Sequence, residues 1–386
     1  MTAEEARTLW ERTKALKPVV DSCRAETDME RRLPDPIAAA FMDLDLYRLI
    51  LPKDLGGQGV DPLTAFDMTE EVAYYDGSVG WNFAIGANSG MIAGQLPPET
   101  VASVFGTRQA AVAGSGPPQG RAVAVAGGYR VTGRFAWASG IHQAQWVMGG
   151  CFVHDGDERR VGPHGGPVVI HVLAPRADAT VIDSWHTGGM RGTGSTEFDL
   201  EDVFVPDSHA FMMFGAAPKH SDPVYRLPTS FFGFGLTAVP LGIARAAKDG
   251  LAQLAVTKVP APPRPGLRDQ QHVQYVVAKA DAMVEAARLA VRNAFSSMWA
   301  EVRKDGATME SRARLRRASV HAVETAIEAV GMCYRAAGGA AVFESHPFER
   351  ALRDVNATGG HVVYQRAMME DAGRVALGLP PLLPMF

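Results

Sequence analysis

Residues Tyr129–Ala138 read YRVTGRFAWA, and what this stretch pairs with decides the fold. Its side chains follow the alternating period of a strand rather than the period of a helix. Just before it lie Ala122–Val125 and then Gly127-Gly128, a pair that takes the positive φ values a tight turn demands. The segment is therefore expected to form a β-hairpin. Moving outward, Trp146–Val153 and Val168–Ala174 are rich in β-branched and aromatic residues, and Phe198–Pro206 (FDLEDVFVP) alternates once more. Short strands at this spacing, from about Ala111 to Pro206, predict an antiparallel sheet or barrel.

On both sides the period turns helical. Leu9, Trp10, Leu16, Val19 and Val20 recur at loosely helical spacing, and Ile37–Leu46 gives a second short amphipathic helix. Leu51–Val60 (LPKDLGGQGV) is a loop by its Pro and Gly. Asp61-Pro62 then caps a helix to about Tyr75, Asp accepting free backbone N–H groups and Pro suiting the first turn. A further apolar helix is expected over Val79–Ala93. Beyond Pro228 come long helical segments at Phe231–Lys258, Arg268–Arg303, Met309–Ala337 and Phe348–Leu377. In the second, Val273, Val277, Ala280, Val284, Ala287, Val291 and Phe295 fall three or four apart, and Lys304-Asp305-Gly306 ends it. Helices of this length and pattern predict a four-helix bundle. The order of helices, strands and helices excludes a Rossmann fold, whose strands and helices alternate. The expectation is an α+β, mostly α chain: a helical domain over 1–110, a central antiparallel β-barrel over 111–225 and the bundle over 226–386.

The composition narrows the function classes. The 386 residues carry 38 Lys and Arg against 42 Asp and Glu, a net charge of −4 that argues against a nucleic-acid binder working on phosphates. Apolar residues at 47% and charged residues at 21% are too apolar for disorder. Cys23, Cys151 and Cys333 are odd in number and far apart, so a disulfide framework is not expected and a reducing, cytoplasmic compartment fits. No stretch approaches the ~18 apolar residues of a membrane span. There is no G-x-G-x-x-G after a strand, no P-loop and no G-x-S-x-G elbow. His164, His171 and His186 lack metal-ligand spacing and read as surface or hydrogen-bonded histidines, so no metal is expected.

Four stretches go beyond composition: Tyr47–Val60 (YRLILPKDLGGQGV), Gly127–Trp146 (GGYRVTGRFAWASGIHQAQW), Trp185–Pro206 (WHTGGMRGTGSTEFDLEDVFVP) and Gly338–Asp354 (GGAAVFESHPFERALRD). In this order and spacing the chain resembles the acyl-CoA dehydrogenase superfamily over essentially its whole length. That resemblance implies a helical domain, a β-barrel and a four-helix bundle. Dehydrogenases of the superfamily need a carboxylate to take the α-proton of an acyl thioester. Here Arg353-Asp354 is followed by VNATGGHVVYQ, with His361-Val362 where that Glu falls, and Phe231–Asp249 contains no Glu either. The RGTGS of Arg191–Ser195 and the WASG of Trp137–Gly140 are similar to the other branch, the oxygenase components of two-component flavin-dependent monooxygenases. These include p-hydroxyphenylacetate, hydroxysteroid-phenol and dibenzothiophene oxygenases. The resemblance implies reduced FMN or FAD delivered by a separate NAD(P)H-dependent reductase. It further implies O2 as co-substrate, a C4a-hydroperoxide, an aromatic or polycyclic substrate and a homotetramer. A dehydrogenase with an unrecognised base is the alternative.

By the same resemblance Ser139 matches the serine near flavin N5, where a hydroxyl donates to the peroxide; Ser-Gly is also an ordinary turn signal. His361 matches the active-site histidine, an imidazole able to accept a phenolic proton or stabilise the peroxide, and it is expected on the last helix. Gly359-Gly360 beside it would weaken a helix, and a neighbouring cavity would explain the pair. Trp137 is expected against the isoalloxazine, or else in the core. Ser115, within Gly114-Ser115-Gly116, stands at a flavin-contacting loop. Arg264 or Arg268 answers to an Arg reaching a flavin phosphate across a subunit interface. Gly338-Gly339 matches a turn near the neighbouring subunit's cofactor, or a helix C-cap. Asn88-Ser89 stands where several aromatic hydroxylases have a histidine, and His142 faces either the pocket or the surface. Phe231, Phe232, Phe234 and Met212-Met213 supply apolar pocket walls, core or subunit contacts.

Overall fold

The computed structural model describes residues 2–163, 165–213, 216–228, 230–261, 263–383 and 386. His164 and Pro262 lie outside them. The chain begins with α1 (Ala3–Lys14), α2 (Lys17–Ser22), α3 (Arg24–Met29) and α4 (Asp35–Asp43), followed by α5 (Pro62–Tyr75), α6 (Gly77–Asn88) and α7 (Pro98–Phe105). Their starts are set by local chemistry. Thr2 and Glu5 form a reciprocal capping box on α1, and Asp61 accepts from Leu63 N at 2.9 Å with Pro62 in the first turn of α5. Asp76 ends α5 and caps α6 through Val79 N at 3.1 Å. The two helices cross closely at Gly80, where a Cβ would meet Ala73 Cα at 2.5 Å.

The strands are β1 (Val112–Val125), β2 (Gly128–Phe135), β3 (Trp146–Asp155), β4 (Glu158–Arg159), β5 (Val169–Pro175), β6 (Thr180–Ile182), β7 (Glu197–Pro206) and β8 (Ala210–Phe211). β1 and β2 form the expected hairpin, Val125 opposite Gly128, with Gly127 at φ +78°. The barrel expectation is corrected. The strands make one open sheet in the order β6-β7-β2-β1-β3-β5-β8, with β4 added to β3. Its edges are strands of 3 and 2 residues, too short for a closing ladder, and they do not pair with each other. Nor is the sheet wholly antiparallel, because β1 and β3 run parallel. Their register slips between Ser115 and Pro118 and again before Gly120, a bulge that turns the Gly114–Pro117 backbone out of the sheet's regular course.

The C-terminal helices are α8 (Ser230–Thr257), α9 (Gln271–Val302), α10 (Met309–Ala337), α11 (Pro347–Gly359) and α12 (Arg366–Ala376). The first three match the periodic segments. Phe348–Leu377 is not one helix. Gly359-Gly360 ends α11, His361 is extended at φ −69° and ψ 140°, and a single 3₁₀ turn, Val362–Tyr364, precedes α12. The adjacent glycines carry the two worst ordinary helix propensities in a row, and the chain uses them as a stop. A continuous apolar core joins helices and sheet, with Phe234 stacked between Phe66 (4.7 Å) and Phe295 (3.9 Å). Fully buried Glu70 on α5 takes Arg245 of α8 at 2.8 Å and Arg288 of α9 at 2.6 Å, while Asp67 takes Arg288 and Arg292. Among the described residues no helix is long and apolar enough to cross a membrane.

Candidate active site

Where the bulged start of β1, helix α6 and the break after α11 meet, they enclose a cavity of about 460 Å³. Four of the residues singled out in the sequence line it: Ser115, Trp137, Ser139 and His361. Trp81 and Ile85, one helical turn apart on α6, form a wall with Trp185 and Met190. Thr193 and Ser195 of the RGTGS loop complete the polar side, and Ala357, Thr358, Gly360, Val362 and Gln365 close the end under His361. Among the described lining residues there is no carboxylate. A proton abstraction of the dehydrogenase kind therefore finds no carboxylate base among them.

Two loops build the polar side by lacing to each other. Ala138 N donates to Thr196 O at 3.1 Å, and Gly140 N to Thr193 O at 3.0 Å. Above this backbone lattice the side chains line up. Trp81 Nε1 donates to Ser139 Oγ at 3.1 Å, Ser139 Oγ and Ser195 Oγ are 2.6 Å apart, Ser195 Oγ and Thr193 Oγ1 are 2.6 Å apart, and Thr193 Oγ1 donates to Met190 O at 2.9 Å. Met190, at φ +54°, is held from below: its N–H donates to Asp354 Oδ1 at 2.6 Å. Asp354 is fully buried on α11, with Arg350 at 3.6 Å. Burial pushes its carboxyl up to about 6, against the pull of Arg350 and with a push from nearby Asp76. The Arg-Asp pair quoted from the sequence thus anchors the loop rather than facing the cavity; Arg353 clamps Asp28 at 3.0 and 3.1 Å.

His361 stands 5.4 Å from Trp81, ring to ring, and 6.2 Å from Tyr364. Its Nδ1 accepts from Val363 N at 3.4 Å, capping the 3₁₀ turn. Burial lowers its pKa to about 4, so the ring is neutral at pH 7 and, with Nδ1 an acceptor, its proton sits on Nε2. Trp137 is not core. It is 63% exposed, at φ +69°, with its ring edge-on to Trp185 at 5.6 Å. A bulky residue in the left-handed region is strained, and strain of this kind collects at functional sites. Ser115 is turned away to Gln119 Oε1 at 2.7 Å, which also receives Ala136 N, while His171 Nε2 holds Gly116 O at 2.8 Å.

Other candidates lie elsewhere. Arg264, Arg268, Gly338 and Gly339 do not line the cavity; both arginines are exposed, and Gly338, at φ +60°, closes α10 as a C-cap. Phe231 and Phe234 are core, and Met212-Met213 border a separate recess near His171. His142 is exposed and outside the cavity. Asn88 and Ser89 give their hydrogens to backbone carbonyls and do not line it. Trp81, Thr193 and Ser195 were not singled out, although the RGTGS of Arg191–Ser195 carries the last two.

The chain matches the family models "Acyl-CoA dehydrogenase, N-terminal domain" over residues 1–97 and "Acyl-CoA dehydrogenase, C-terminal domain" over 234–366. It is 30% identical to the indole-3-acetate monooxygenase of Pseudomonas putida over 361 residues, 92% of this chain and 90% of that protein. It is also 30% identical to the flavin-dependent monooxygenase oxygenase subunit HsaA of Rhodococcus jostii (strain RHA1), over 91% of this chain and 93% of that one. Among solved structures, XiaF from Streptomyces sp. in complex with FADH2 and glycerol superposes with a TM-score of 0.88 at 27% identity, covering 100% of this chain and 98% of that one. Fold, cavity and likeness over nine-tenths of the length agree: the chain belongs to the acyl-CoA dehydrogenase superfamily, among the oxygenase components of two-component flavin-dependent monooxygenases, enzymes that act on a small molecule with a separate reductase.

Proposed function

We propose that the cavity between α6, the RGTGS loop and His361 is where reduced flavin and an aromatic or polycyclic substrate meet, and that the product is the hydroxylated substrate. The observation that carries this is the convergence of Ser139 and His361 on one carboxylate-free cavity, each in contact with Trp81. The lining fits a flavin ring: indole faces at Trp137 and Trp185, hydroxyls at Ser139, Thr193 and Ser195, and the open space beside Gly116, where a Cβ would meet nothing within 4 Å. When bound, reduced FMN or FAD would supply the two electrons that activate O2, one atom of which goes to the substrate and the other to water. The chain's own residues do the rest. Trp137 and Trp185, in edge-to-face contact with each other, would wall one side of the ring, and Ser139 would stand at its N5. His361, neutral, offers Nε2–H to an oxygen in the cavity and serves as a donor, being too weak a base to hold a phenolic proton. Asp354 keeps the hydroxyl-bearing loop in place through Met190.

Arg264 and Gly338-Gly339 enter this reading through a homotetramer, reaching the flavin of a neighbouring chain. Exposed Val256, Val259, Val342 and Phe343 near them are an apolar surface that such an assembly would cover. Three buried free cysteines support a cytoplasmic location. The test is isotopic. Protein, reduced FMN or FADH2, ¹⁸O2 and a panel of phenols and indoles are expected to give a product carrying one labelled oxygen. Bleaching of bound oxidised flavin by acyl-CoA thioesters, with no labelled product, would overturn the reading.

Trp137→Gly separates binding from folding. Glycine relieves a left-handed conformation that costs about 1 kcal/mol for other residues, and little buried area is lost. The variant is expected to resist urea at least as well as wild type while binding reduced flavin about tenfold more weakly. Equal affinity in the two proteins would remove Trp137 from the flavin site.

A further inference from the structure

The hydroxyl chain beside the cavity runs in one direction, and its direction is fixed at both ends. The indole Nε1 of Trp81 can only donate, and it donates to Ser139 Oγ at 3.1 Å. The carbonyl of Met190 can only accept: one lone pair takes the indole Nε1–H of Trp185 at 3.1 Å, and Thr193 Oγ1 lies 2.9 Å from it, a contact of two oxygens that needs the single proton of Thr193 between them. Thr193 Oγ1 has then no proton left for Ser195 at 2.6 Å, and Ser195 must donate to it. Ser195 Oγ, having given its proton away, must in turn receive that of Ser139 at 2.6 Å. Both contacts are short O–H···O bonds that need a proton between the oxygens. The order is Trp81 to Ser139 to Ser195 to Thr193 to Met190 O. Ser139 therefore faces the cavity with a lone pair and no hydrogen, the reverse of the donor role its position in the sequence implied.

We infer that Ser195 and Thr193 are positioning residues that make Ser139 an obligate hydrogen-bond acceptor, and so select reduced over oxidised flavin at this site. The inference rests on the reading that Ser139 addresses flavin N5. On reduction that nitrogen changes from a bare acceptor to an N–H donor. Reduced flavin completes the coordination of Ser139 Oγ: one proton in from Trp81, one in from the flavin, one out to Ser195. Oxidised flavin sets lone pair against lone pair, unless Ser139 gives up its bond to Ser195. The cost of that surrender is the net worth of one buried hydrogen bond, a factor of about 3–10 in relative affinity. An oxygenase component that takes flavin reduced elsewhere and must release it oxidised has use for this asymmetry.

The test compares the ratio of dissociation constants for oxidised and reduced flavin, and the midpoint potential of bound flavin, in the full-length protein. Ser195→Ala removes the acceptor for Ser139, which can then turn its hydrogen to the cavity. Thr193→Val lets Ser195 reverse and donate to Ser139. Both variants are expected to lower the ratio about 3–10-fold, mainly by tightening oxidised flavin, and to lower the bound midpoint potential by up to about 30 mV, the two-electron equivalent of tenfold. Thr193→Ser keeps the direction and is expected to keep the wild-type ratio. General damage to the pocket weakens both flavins together and leaves the ratio alone. Wild-type protein and variants that bind both forms at one unchanged ratio would overturn the inference while leaving the flavin site standing. A wild type that binds neither flavin would overturn the site as well.

Discussion

Asp354→Asn and His361→Asn are expected to bend the pH dependence of stability in opposite directions. Asp354 has a folded pKa of about 6 against an ordinary 3.8. Its contribution is complete below 3.8 and lost as the pH rises through 6, because the folded chain holds the proton more tightly. His361 has a folded pKa of about 4 against an ordinary 6.5, so its contribution is complete above 6.5 and lost as the pH falls through 4. Each is worth about 3 kcal/mol across its window, and in the wild type the two nearly cancel between pH 4 and 6. Removing Asp354 exposes the histidine, and stability relative to wild type then rises with pH by about 3 kcal/mol. Removing His361 exposes the carboxyl, and relative stability falls with pH by a similar amount. Urea unfolding of the three proteins from pH 4 to 7 reads both slopes. Parallel profiles would show that neither group is buried as described, and with that the neutral, Nε2-protonated His361 would be lost.

Glu70→Ala is expected to cost about 3 kcal/mol of stability. The carboxylate is wholly buried and takes two guanidinium groups from two different helices of the bundle. Deleting it leaves Arg245 and Arg288 side by side without their shared acceptor. Each is about a third exposed (34% and 33%), so water recovers part of the loss and the cost falls at the low end for a broken buried pair. Glu70→Gln keeps an acceptor for one arginine and is expected to lose about half as much. Unfolding in urea, variant against wild type, measures both; a change within ~0.5 kcal/mol would mean that the Glu70 bridge adds nothing to the hold of α5 on α8 and α9.

What was legible in the sequence was local. Asp61-Pro62 announces a helix start because both effects act within one turn, and the hairpin needs a single positive φ, which Gly127 supplies while Gly128, expected to share it, is already paired in the strand. Closure of the sheet was not legible. Alternation reports that a strand has a covered face, and says nothing about which strand lies beside it, so an open sheet with a parallel β1–β3 pair reads the same as a barrel. Gly114-Ser115-Gly116, expected as a loop from the resemblance, runs as bulged strand beside the cavity. The break at Gly359-Gly360 was visible as a weak point, but its outcome, a histidine swung out of helical geometry, depends on the fold. In the site, the RGTGS motif held Thr193 and Ser195 in plain view, and Trp81 lay in the apolar helix expected over Val79–Ala93. Their part depends on proton direction along a chain that joins residues more than a hundred positions apart, and no spacing rule encodes that.

The most direct test of the central claim is a rapid-mixing experiment. Anaerobic protein with one equivalent of reduced FMN, or of FADH2, is mixed with oxygenated buffer, and the absorbance of oxidised flavin is followed. A site that shields and orients the flavin predicts a lag before oxidised flavin appears, occupied by a spectrally distinct species, for at least one of the two. Reoxidation with both flavins at the rate and with the spectrum of free flavin would contradict the account.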